Sequence, residues 1–538
     1  MNLRNSSFLL LLSITLISSC AKTGRPDGGP KDELAPLFVT SNPPYETINF
    51  SSKEITLYFN EFIKLKDLNK QLVVSPPLKN PLIISPQGTA SKTLKIRILD
   101  TLAPNTTYIF NFGNAIEDNN ENNILEGFKY VFSTGTYIDS LRFSGTVANA
   151  LSNKKPKKTN IVLYKIDSTF TDSIIYKKKP NYVTTAIDTA GFNFTNLKKG
   201  KYLLLALKQN YNNYIFDSSL DEIGFYPDTI VLPKDSSITK PIKLFKELQP
   251  YRFRRAAEVS KGKISFGYEG NAKDLKVALL SKVSDSFRSV SRFEIDKDTL
   301  NYWHTPIDVD SLNFIVFNDL FLDTVTVNFR KNKIDSLKLS PSTLGILHLR
   351  DTFFIKSNNP IVKIDTSKVR FTDTDTLQVK YAHYTSKKEN KIGFIFDKKE
   401  KEKYNLRALP GSFTDIFSVK NDTLNFNFRT LDREDYGRIT LNIVNTNDKN
   451  LIIDLLTGPD SDQIIDRRYV NTSETLVFDL LEPKTYFVRA IIDTNANKKW
   501  DTGNYLLKIL PENIIYYPEV LKVRANYFLE GNTFTIEN

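Results

Sequence analysis

Apolar and polar residues alternate in short runs along most of the chain, for example at residues 55–59, 94–98, 107–112 and 324–329. Alternation with a period of two is typical of a β-strand with one buried face. Turn-forming Pro, Gly, Asn and Asp residues separate the runs at intervals of about 8 to 12 residues, the spacing of β-sandwiches. No long stretch has helical periodicity. The pattern therefore predicts an all-β chain, most simply a series of Ig-like β-sandwich domains.

The amino terminus has a different pattern. An uncharged apolar run at residues 8–17 follows Arg4 and leads into Ile17-Ser18-Ser19-Cys20. The run is too short to span a membrane as a helix and has the order of a secretory signal. An aliphatic residue, two small residues and a cysteine form the pattern that a lipoprotein signal peptidase reads. We therefore predict that Cys20, the only cysteine in the chain, carries lipid; an ordinary secretory signal with a chance cysteine is the alternative.

The residues after Cys20 indicate where the chain is anchored. Residues 21–36 are rich in Gly and Pro and poor in apolar side chains, which predicts a flexible tether. Ala21 stands where some inner-membrane lipoproteins have a retaining aspartate. We expect a lipid-anchored protein of the outer membrane, and the sequence leaves open whether it faces the periplasm or the cell surface.

Composition adds two constraints. The formal net charge is +12, but the lysines are scattered or lie in hydrophilic turns such as 154–158 and 398–403. This distribution is typical of solvated loops and predicts no nucleic-acid partner. The chain has 37 Phe and 25 Tyr residues against 1 Met and 2 Trp, a bias that favours strands.

Chain length and turn signals predict several domains. We expect a signal peptide at 1–19, a lipidated tether at 20–35, and five β domains at 36–138, 139–238, 239–348, 349–436 and 437–538. Residues 357–368 parallel residues 41–53, and residues 486–490 with Trp500-Asp501 parallel residues 202–206 with Phe216-Asp217. The last domain thus repeats the second in design. Tandem domains of this kind predict an elongated rod or arc.

Two segments resemble known domain families. Residues 41–44 (SNPP), 54–61 (EITLYFNE), 102–108 (LAPNTTY) and 132–135 (FSTG) together resemble a bacterial Ig-like family found in S-layer proteins and surface lipoproteins. Residues 144–147 (SGTV), 185–194 and 197–202 resemble carboxypeptidase-regulatory or transthyretin-like sandwiches. The combination is similar to lipoproteins of the Bacteroidota type. The resemblances imply an all-β fold of tandem Ig-like and transthyretin-like β-sandwich domains, which are structural modules without catalysis of their own.

Catalytic signatures do not appear in the sequence. His304, His348 and His383 are far apart and have no neighbouring cysteine or carboxylate arrangement typical of a metal site. There is no nucleophile elbow, phosphate loop or dinucleotide fingerprint. We predict that the chain is not an enzyme.

One loop has oxygen-bearing side chains at alternating positions. Asp493, Asn495, Asn497 and Asp501 occupy relative positions 1, 3, 5 and 9, as in a calcium loop. Lys498 stands where that pattern has glycine, and the final glutamate is missing. Calcium is therefore one interpretation, and an Asn-rich turn capped by its own side chains is the other.

A recurring triplet concerns modification. Asp-Ser or Asp-Thr followed by an aliphatic or small residue begins at Asp100, Asp139, Asp188, Asp228, Asp298, Asp375 and Asp422, among others. The triplet resembles the O-glycosylation sequon of Bacteroidota envelope proteins. The alternative is that such triplets begin strands after turns, and both readings place them on exposed loops.

Two classes of function remain. The first is a non-catalytic outer-membrane lipoprotein that acts as a structural and protein-interaction scaffold for other envelope proteins. The second is a glycan-binding or glycan-processing surface lipoprotein, which requires exposed aromatic platforms. Trp303 with Tyr302, and Trp500, are the candidate platforms.

Overall fold

The computed structural model describes residues 32–537 except residues 188, 271, 273–274, 295–296, 320, 331 and 459–461. The predicted signal peptide, Cys20 and the tether up to residue 31 lie outside the described residues. The described part is nearly all β, which confirms the predicted fold class. Its helical elements are α1 (Leu68–Gln71) and the 3₁₀ segments Asp172–Tyr176, Thr366–Lys368 and Arg433–Asp435. Among the described helices, none has the length and apolar character that crossing a membrane requires.

The chain divides into two compact units. The first unit comprises residues up to Leu141 together with Thr195–Lys198, and the second comprises Arg142–Phe194 and Lys199–Asn538. The strands fall into five groups, each with its own sheets, and we call them the first to fifth sandwiches.

The first sandwich contains β1 (Phe38–Asn42), β2 (Glu54–Leu65), β3 (Val73–Ser75), β4 (Ile83–Ser85), β5 (Ser91–Arg97), β6 (Thr107–Gly113), β7 (Ile116–Asp118) and β8 (Phe128–Ser133). One sheet has the order β1-β2-β5-β4 with β7 beside β2, and the other has the order β3-β6-β8. Alternation in β2 buries Ile55, Leu57 and Phe59. The Tyr108 ring is buried, and its hydroxyl oxygen accepts a hydrogen bond from the Ala103 N–H at 2.9 Å.

The second sandwich contains β9 (Leu141–Asn149), β10 (Thr159–Lys165), β11 (Tyr182–Ala186), β12 (Gly191–Leu197), β13 (Gly200–Lys208), β14 (Glu222–Phe225), β15 (Ile230–Leu232) and β16 (Ile242–Leu244). The sheets have the orders β12-β9-β16 and β11-β10-β13-β14, with β15 also beside β13. The last strand, β16, runs parallel to the first, β9.

The third sandwich contains β17 (Arg252–Ser260), β18 (Lys263–Glu269), β19 (Lys276–Leu279), β20 (Ser289–Phe293), β21 (Thr299–His304), β22 (Ser311–Asn318) and β23 (Phe321–Asn328). Its sheets, β17-β18-β21-β20 and β19-β22-β23, enclose a core centred on Phe266, Tyr302 and Phe314. This region, where the sequence shows β character without a recognisable motif, is thus a sandwich as well.

The fourth sandwich contains β24 (Leu339–Pro341), β25 (Phe353–Ser357), β26 (Ile361–Ile364), β27 (Val369–Thr372), β28 (Ala382–Thr385), β29 (Lys391–Ile395), β30 (Lys403–Ala408), β31 (Phe413–Asp415) and β32 (Leu424–Arg429). Its sheets have the orders β24-β25-β29-β28, β27-β30-β32 and β26-β31. Aromatic rings fill the core: Phe353 and Phe428 stack with ring centroids 4.2 Å apart, which contributes stabilisation beyond their buried area.

The fifth sandwich contains β33 (Gly437–Asn445), β34 (Leu451–Thr457), β35 (Gln463–Val470), β36 (Glu474–Leu481), β37 (Thr485–Ile492), β38 (Ile514–Tyr516), β39 (Leu521–Lys522) and β40 (Phe528–Ile536). Its sheets are β36-β33-β40, with β33 and β40 parallel, and β35-β34-β37-β38 with β39 beside β37. This is the topology of the second sandwich strand for strand, as the sequence repeat predicts.

The second and fifth sandwiches contact each other within the second unit, although about 200 residues separate them along the chain. All seven residues of β34 are buried. Leu451, Ile453 and Leu455 belong to the core, so Ile452, Asp454 and Leu456 are buried on the opposite face of the sheet. The fifth sandwich thus packs on the second through a face that is itself covered, a contact that the order of the domains along the chain does not predict.

Candidate functional site

The contact between the second and fifth sandwiches centres on Tyr505. Its side chain is completely buried, and its ring meets Phe225 edge-on at a centroid distance of 5.7 Å. Its hydroxyl donates to the Asp172 Oδ1 at 3.2 Å, and the Lys508 ammonium forms an ion pair with the same oxygen at 2.5 Å. Burial and the neighbouring Asp172 raise the pKa of Tyr505, so its hydroxyl remains a donor at neutral pH.

Main-chain geometry fixes Tyr505 in this place. Its backbone N–H donates to the Glu247 Oε1 at 2.7 Å, and the Glu247 carboxyl is buried, which raises its pKa. Gly503 is needed two residues earlier, because a Cβ there would lie 2.6 Å from the Phe245 ring and 2.7 Å from the Ile509 carbonyl oxygen. The close approach of these segments of the chain thus requires glycine at this position.

A buried ion-pair network supports the same contact. The Asp454 carboxylate is completely buried and accepts hydrogen bonds from Arg467 Nε at 2.6 Å and from Arg489 Nε at 2.9 Å. Arg489 Nη1 also donates to the Leu151 carbonyl oxygen at 2.9 Å, as does the Tyr516 hydroxyl. Asp454 thus holds the Arg489 guanidinium in place, and the hydrogen bonds of Arg489 and Tyr516 to Leu151 join the fifth sandwich to the second at this point.

The residues that follow Tyr505 form an exposed apolar surface, which we call the apolar loop (residues 504–510). Leu506, Leu507, Ile509 and Leu510 are 52%, 68%, 51% and 46% exposed. The loop is nevertheless ordered by its own main chain, since Asn504 and Ile509 exchange two backbone hydrogen bonds of 2.8 and 2.9 Å. Four aliphatic side chains within five residues are therefore exposed to solvent on this loop.

The predicted calcium residues are close together and bonded to one another. The Asp493 carboxylate accepts from the backbone N–H groups of Asn497 and Lys498 at 3.0 and 2.8 Å. The Asp501 Oδ2 accepts from the side-chain amides of Asn495 and Asn497 at 2.6 and 2.7 Å. These are the contacts of a turn capped by its own side chains. Calcium binding by this loop stays a prediction.

Glu512 is a further carboxylate beside this loop, which the sequence pattern did not indicate. It is buried, its Oε1 accepts from the Thr494 N–H and hydroxyl at 2.7 and 2.8 Å, and its Oε2 accepts from the Asp501 N–H at 3.0 Å. Among the described residues, no group of three or more His, Cys, Asp or Glu side chains has an arrangement suited to a metal ion.

The prediction that Trp303 with Tyr302 forms an exposed aromatic platform is wrong. They are only 4% and 5% exposed, because Trp303 packs on Ile416 and Phe417 of the fourth sandwich while Tyr302 lies in the core of the third. Trp500 is half-buried, and its Nε1 donates to the Glu512 carbonyl oxygen at 3.2 Å. Trp303 and Tyr302 therefore present no open face of the kind that a stacked sugar needs.

The three histidines have separate environments. His304 is buried between Phe287 and Phe329, each stacked on it at a centroid distance of 5.6 Å, and burial lowers its pKa. His348 Nε2 donates to the Leu480 carbonyl oxygen at 2.8 Å while its Nδ1 accepts from the Arg350 N–H at 3.1 Å. His383 is exposed on β28. The structure does not bring them together.

The seven sequon hydroxyls named above are mostly accessible. Six of them are exposed and one is half-buried; the exposed ones are Thr101, Ser140, Thr189, Thr229, Thr376 and Thr423, and the half-buried one is Thr299. Asp188, which precedes Thr189, lies outside the described residues. Modification of these hydroxyls stays a prediction.

The fold defines the class of protein: an all-β chain of tandem sandwiches. Residues 32–134 match the family described as the bacterial Ig-like domain, which confirms the resemblance seen in the first domain. No curated protein matches the chain.

Among solved structures, domains 1–6 of the surface layer protein SbsC are similar over 86% of this chain and 66% of that one, at 12% identity and a TM-score of 0.15. The I9–I11 tandem of titin covers 52% of this chain and all of its own, at 8% identity and a TM-score of 0.12. Alpha-2-macroglobulin of E. coli covers 88% of this chain and 33% of its own, at 8% identity and a TM-score of 0.14. The chain thus spans just under two thirds of the SbsC fragment, and at these TM-scores the likeness carries no conclusion about activity or partners.

Proposed function

We propose that this protein is a non-catalytic, lipid-anchored outer-membrane protein that acts as a scaffold for other envelope proteins. Tandem sandwiches, the lipidation pattern at Cys20 and the lack of a catalytic signature in the sequence support this proposal. The observation that carries it is the apolar loop, because a scaffold needs an exposed contact surface and this loop offers one.

The loop has the properties of a binding hot spot for a protein. Its base is held by the completely buried Tyr505, so little conformational freedom is lost when a partner binds. Specific protein interfaces bury roughly 1,200 to 2,000 Å², and a few well-packed side chains near the centre supply most of the affinity. Leu507, the most exposed of the four aliphatic residues, is the expected centre of the contact.

Site-specific photo-crosslinking in intact cells tests the proposal. We would place benzoylphenylalanine at Leu507 and, as a control, at Ile395, an equally apolar residue that is 55% exposed on the interior strand β29. The expected result is one reproducible envelope-protein adduct from position 507 and none from position 395. Lipid adducts alone, or identical adducts from both positions, would contradict the proposal.

A charge substitution gives an independent measure. Leu507→Asp places a carboxylate in the expected contact, and we expect recovery of the partner to fall about tenfold or more. Leu377→Asp is the matched control, since Leu377 is 61% exposed in a loop of the fourth sandwich. Equal loss of the partner in both variants would show that the apolar loop is not the contact.

A further inference from the structure

A cleft of ≈ 390 Å³ lies between the third and fourth sandwiches, within the second unit. One wall comes from the hairpin of β20 and β21, and the other comes from residues 356–358 and 388–391 of the fourth sandwich. Its volume is within the range of about 300 to 1,000 Å³ that small-molecule sites occupy.

The cleft is strongly cationic. Its lining contains Lys263, Arg292, Lys356, Lys388 and Lys391. Against these five cations stand two carboxylates, Glu294 and Glu389, so the formal charge of the lining is +3. Low-dielectric walls around a charge of one sign focus the field and attract a ligand of the opposite sign.

Both carboxylates already have cationic partners. Glu389 Oε1 pairs with Lys391 at 2.8 Å, and Glu294 Oε1 pairs with Lys297 at 2.5 Å. In the part of the chain that the structure describes, Lys263, Lys356 and Lys388 have no such ion pair. Three of the cations in the lining are therefore available to an anion.

Two N–H donors in the same lining also lack acceptors. Within the described part of the chain, Trp303 Nε1 and Arg292 Nε are both buried without a hydrogen-bond partner, and Trp303 as a whole is 96% buried. Arg292 Nη1 donates to the Glu389 carbonyl oxygen at 2.7 Å, so this side chain is fixed in place. A buried donor without an acceptor is unfavourable, and such groups are rare unless a ligand or water satisfies them.

The remaining lining suits a sugar. Phe293 is 43% exposed, and its ring meets Tyr268 edge-on, so this residue supplies the accessible aromatic surface that Trp303 does not. The side chains of Asn301, Ser357 and Asn358 also line the cleft. Each already donates a hydrogen bond inside the protein, to Glu294, to the Asn359 carbonyl oxygen and to the Ser336 carbonyl oxygen respectively, so their remaining N–H groups and lone pairs are the ones open to a sugar. Such groups donate to and accept from sugar hydroxyls, which alternate as donors and acceptors themselves.

We propose that this cleft binds an anionic saccharide, in which a carboxylate or phosphate meets Arg292 and the lysines while the sugar ring lies against Phe293 and the amide side chains. The proposal goes beyond the scaffold function and does not rest on it. An acidic polysaccharide and the phosphorylated sugar headgroup of a lipid share this chemistry.

Isothermal titration calorimetry on the chain from residue 32 onward, which contains all five sandwiches, tests the proposal with defined probes. The probes are digalacturonic acid, a glucosamine disaccharide carrying two phosphates, the neutral disaccharide cellobiose and inorganic sulfate. We expect at least one of the two acidic disaccharides to bind with a Kd below ~1 mM. Cellobiose and sulfate should bind at least about tenfold more weakly. Which acidic probe binds better distinguishes the polysaccharide source from the lipid headgroup.

Variants connect binding to the cleft. We expect Lys356→Gln combined with Lys388→Gln to weaken binding about tenfold, since both lysines are exposed and their loss leaves the packing intact. Trp303→Phe removes the unpaired N–H and should weaken binding too. Lys363→Gln, an exposed lysine of β26 outside the cleft lining, is the matched control. No binding by either acidic disaccharide, sulfate binding as tight as theirs, or equal loss in the control would overturn the proposal.

Discussion

Truncating Tyr505 tests how firmly the fifth sandwich is held to the second. Tyr505→Ala removes a completely buried ring that contacts Phe225, together with the hydroxyl that donates to Asp172. The backbone N–H that donates to Glu247 remains, because it does not belong to the side chain. The variant therefore isolates the contribution of the ring and the hydroxyl.

The expected magnitude follows from burial. Replacing a buried aromatic residue by alanine costs about 3–5 kcal/mol through lost transfer energy and the cavity that remains. Tyr505→Phe keeps the ring and loses only one hydrogen bond, to an aspartate that is 48% exposed and can be solvated instead. We expect that variant to cost about 0.5–1.5 kcal/mol.

The two tryptophans make the effect measurable in one part of the molecule. Trp500 lies in the fifth sandwich and Trp303 lies between the third and fourth. In a Trp303→Phe background, urea unfolding followed by fluorescence reports on the fifth sandwich alone, which avoids treating several domains as one two-state unit. Leu507→Ala, at a 68% exposed position close by, is the control and should leave the transition unchanged.

If Tyr505→Ala lowered the free energy of unfolding by less than about 1 kcal/mol, similar to the control, the reasoning would be refuted, because removing a completely buried ring should cost more. The contact between the second and fifth sandwiches would then be dispensable for the stability of the fifth.

Three further predictions concern separate features. Cys20→Ser should abolish palmitate labelling and membrane retention in cell fractionation; unchanged labelling would exclude lipidation at this residue. Burial lowers the pKa of His304, so as the pH decreases the unfolded chain binds a proton at this residue before the folded chain does. The contribution of His304 to the free energy of unfolding is therefore fully present above about pH 6.5 and falls below it, by up to ~1.4 kcal/mol per pH unit. His304→Phe should flatten that dependence in denaturant titrations at pH 5 to 8, and an identical slope would contradict the assignment. For the loop of Asp493 and Asp501, the self-capped turn predicts the same melting temperature in Ca²⁺ and in EDTA, whereas a clear rise with Ca²⁺ would establish the calcium reading.

Local patterns predicted the strands and one repeat. Alternation at residues 55–59 identified β2, in which Ile55, Leu57 and Phe59 are buried as the structure shows. The correspondence between the second and last domains appears as shared topology. These features depend on residues close in sequence or on equivalent positions of a repeat, so the sequence alone contains them.

The same local patterns did not predict the contacts between domains, although the sequence contained one signal of them. Residues 161–164 (IVLY) and 451–453 (LII) are continuous apolar runs, and a strand without alternation is buried on both faces. That signal predicts a covered outer sheet without naming what covers it. Trp303 was misjudged for a related reason, since its strand is buried on one side by its own core and on the other by the fourth sandwich.

The packing of the fifth sandwich on the second also determines what the apolar loop can do. In a flexible loop, ordering each of the four aliphatic side chains on binding would cost about 0.5–1.5 kcal/mol, which would offset much of the favourable contact energy. Tyr505 and Gly503 place the base of the loop against the second sandwich, so part of that cost is met during folding. The two variants should therefore weaken binding of a partner in different ways. Tyr505→Ala should act through greater mobility of an unchanged surface, whereas Leu507→Asp should remove the contact without any change in the stability of the fifth sandwich.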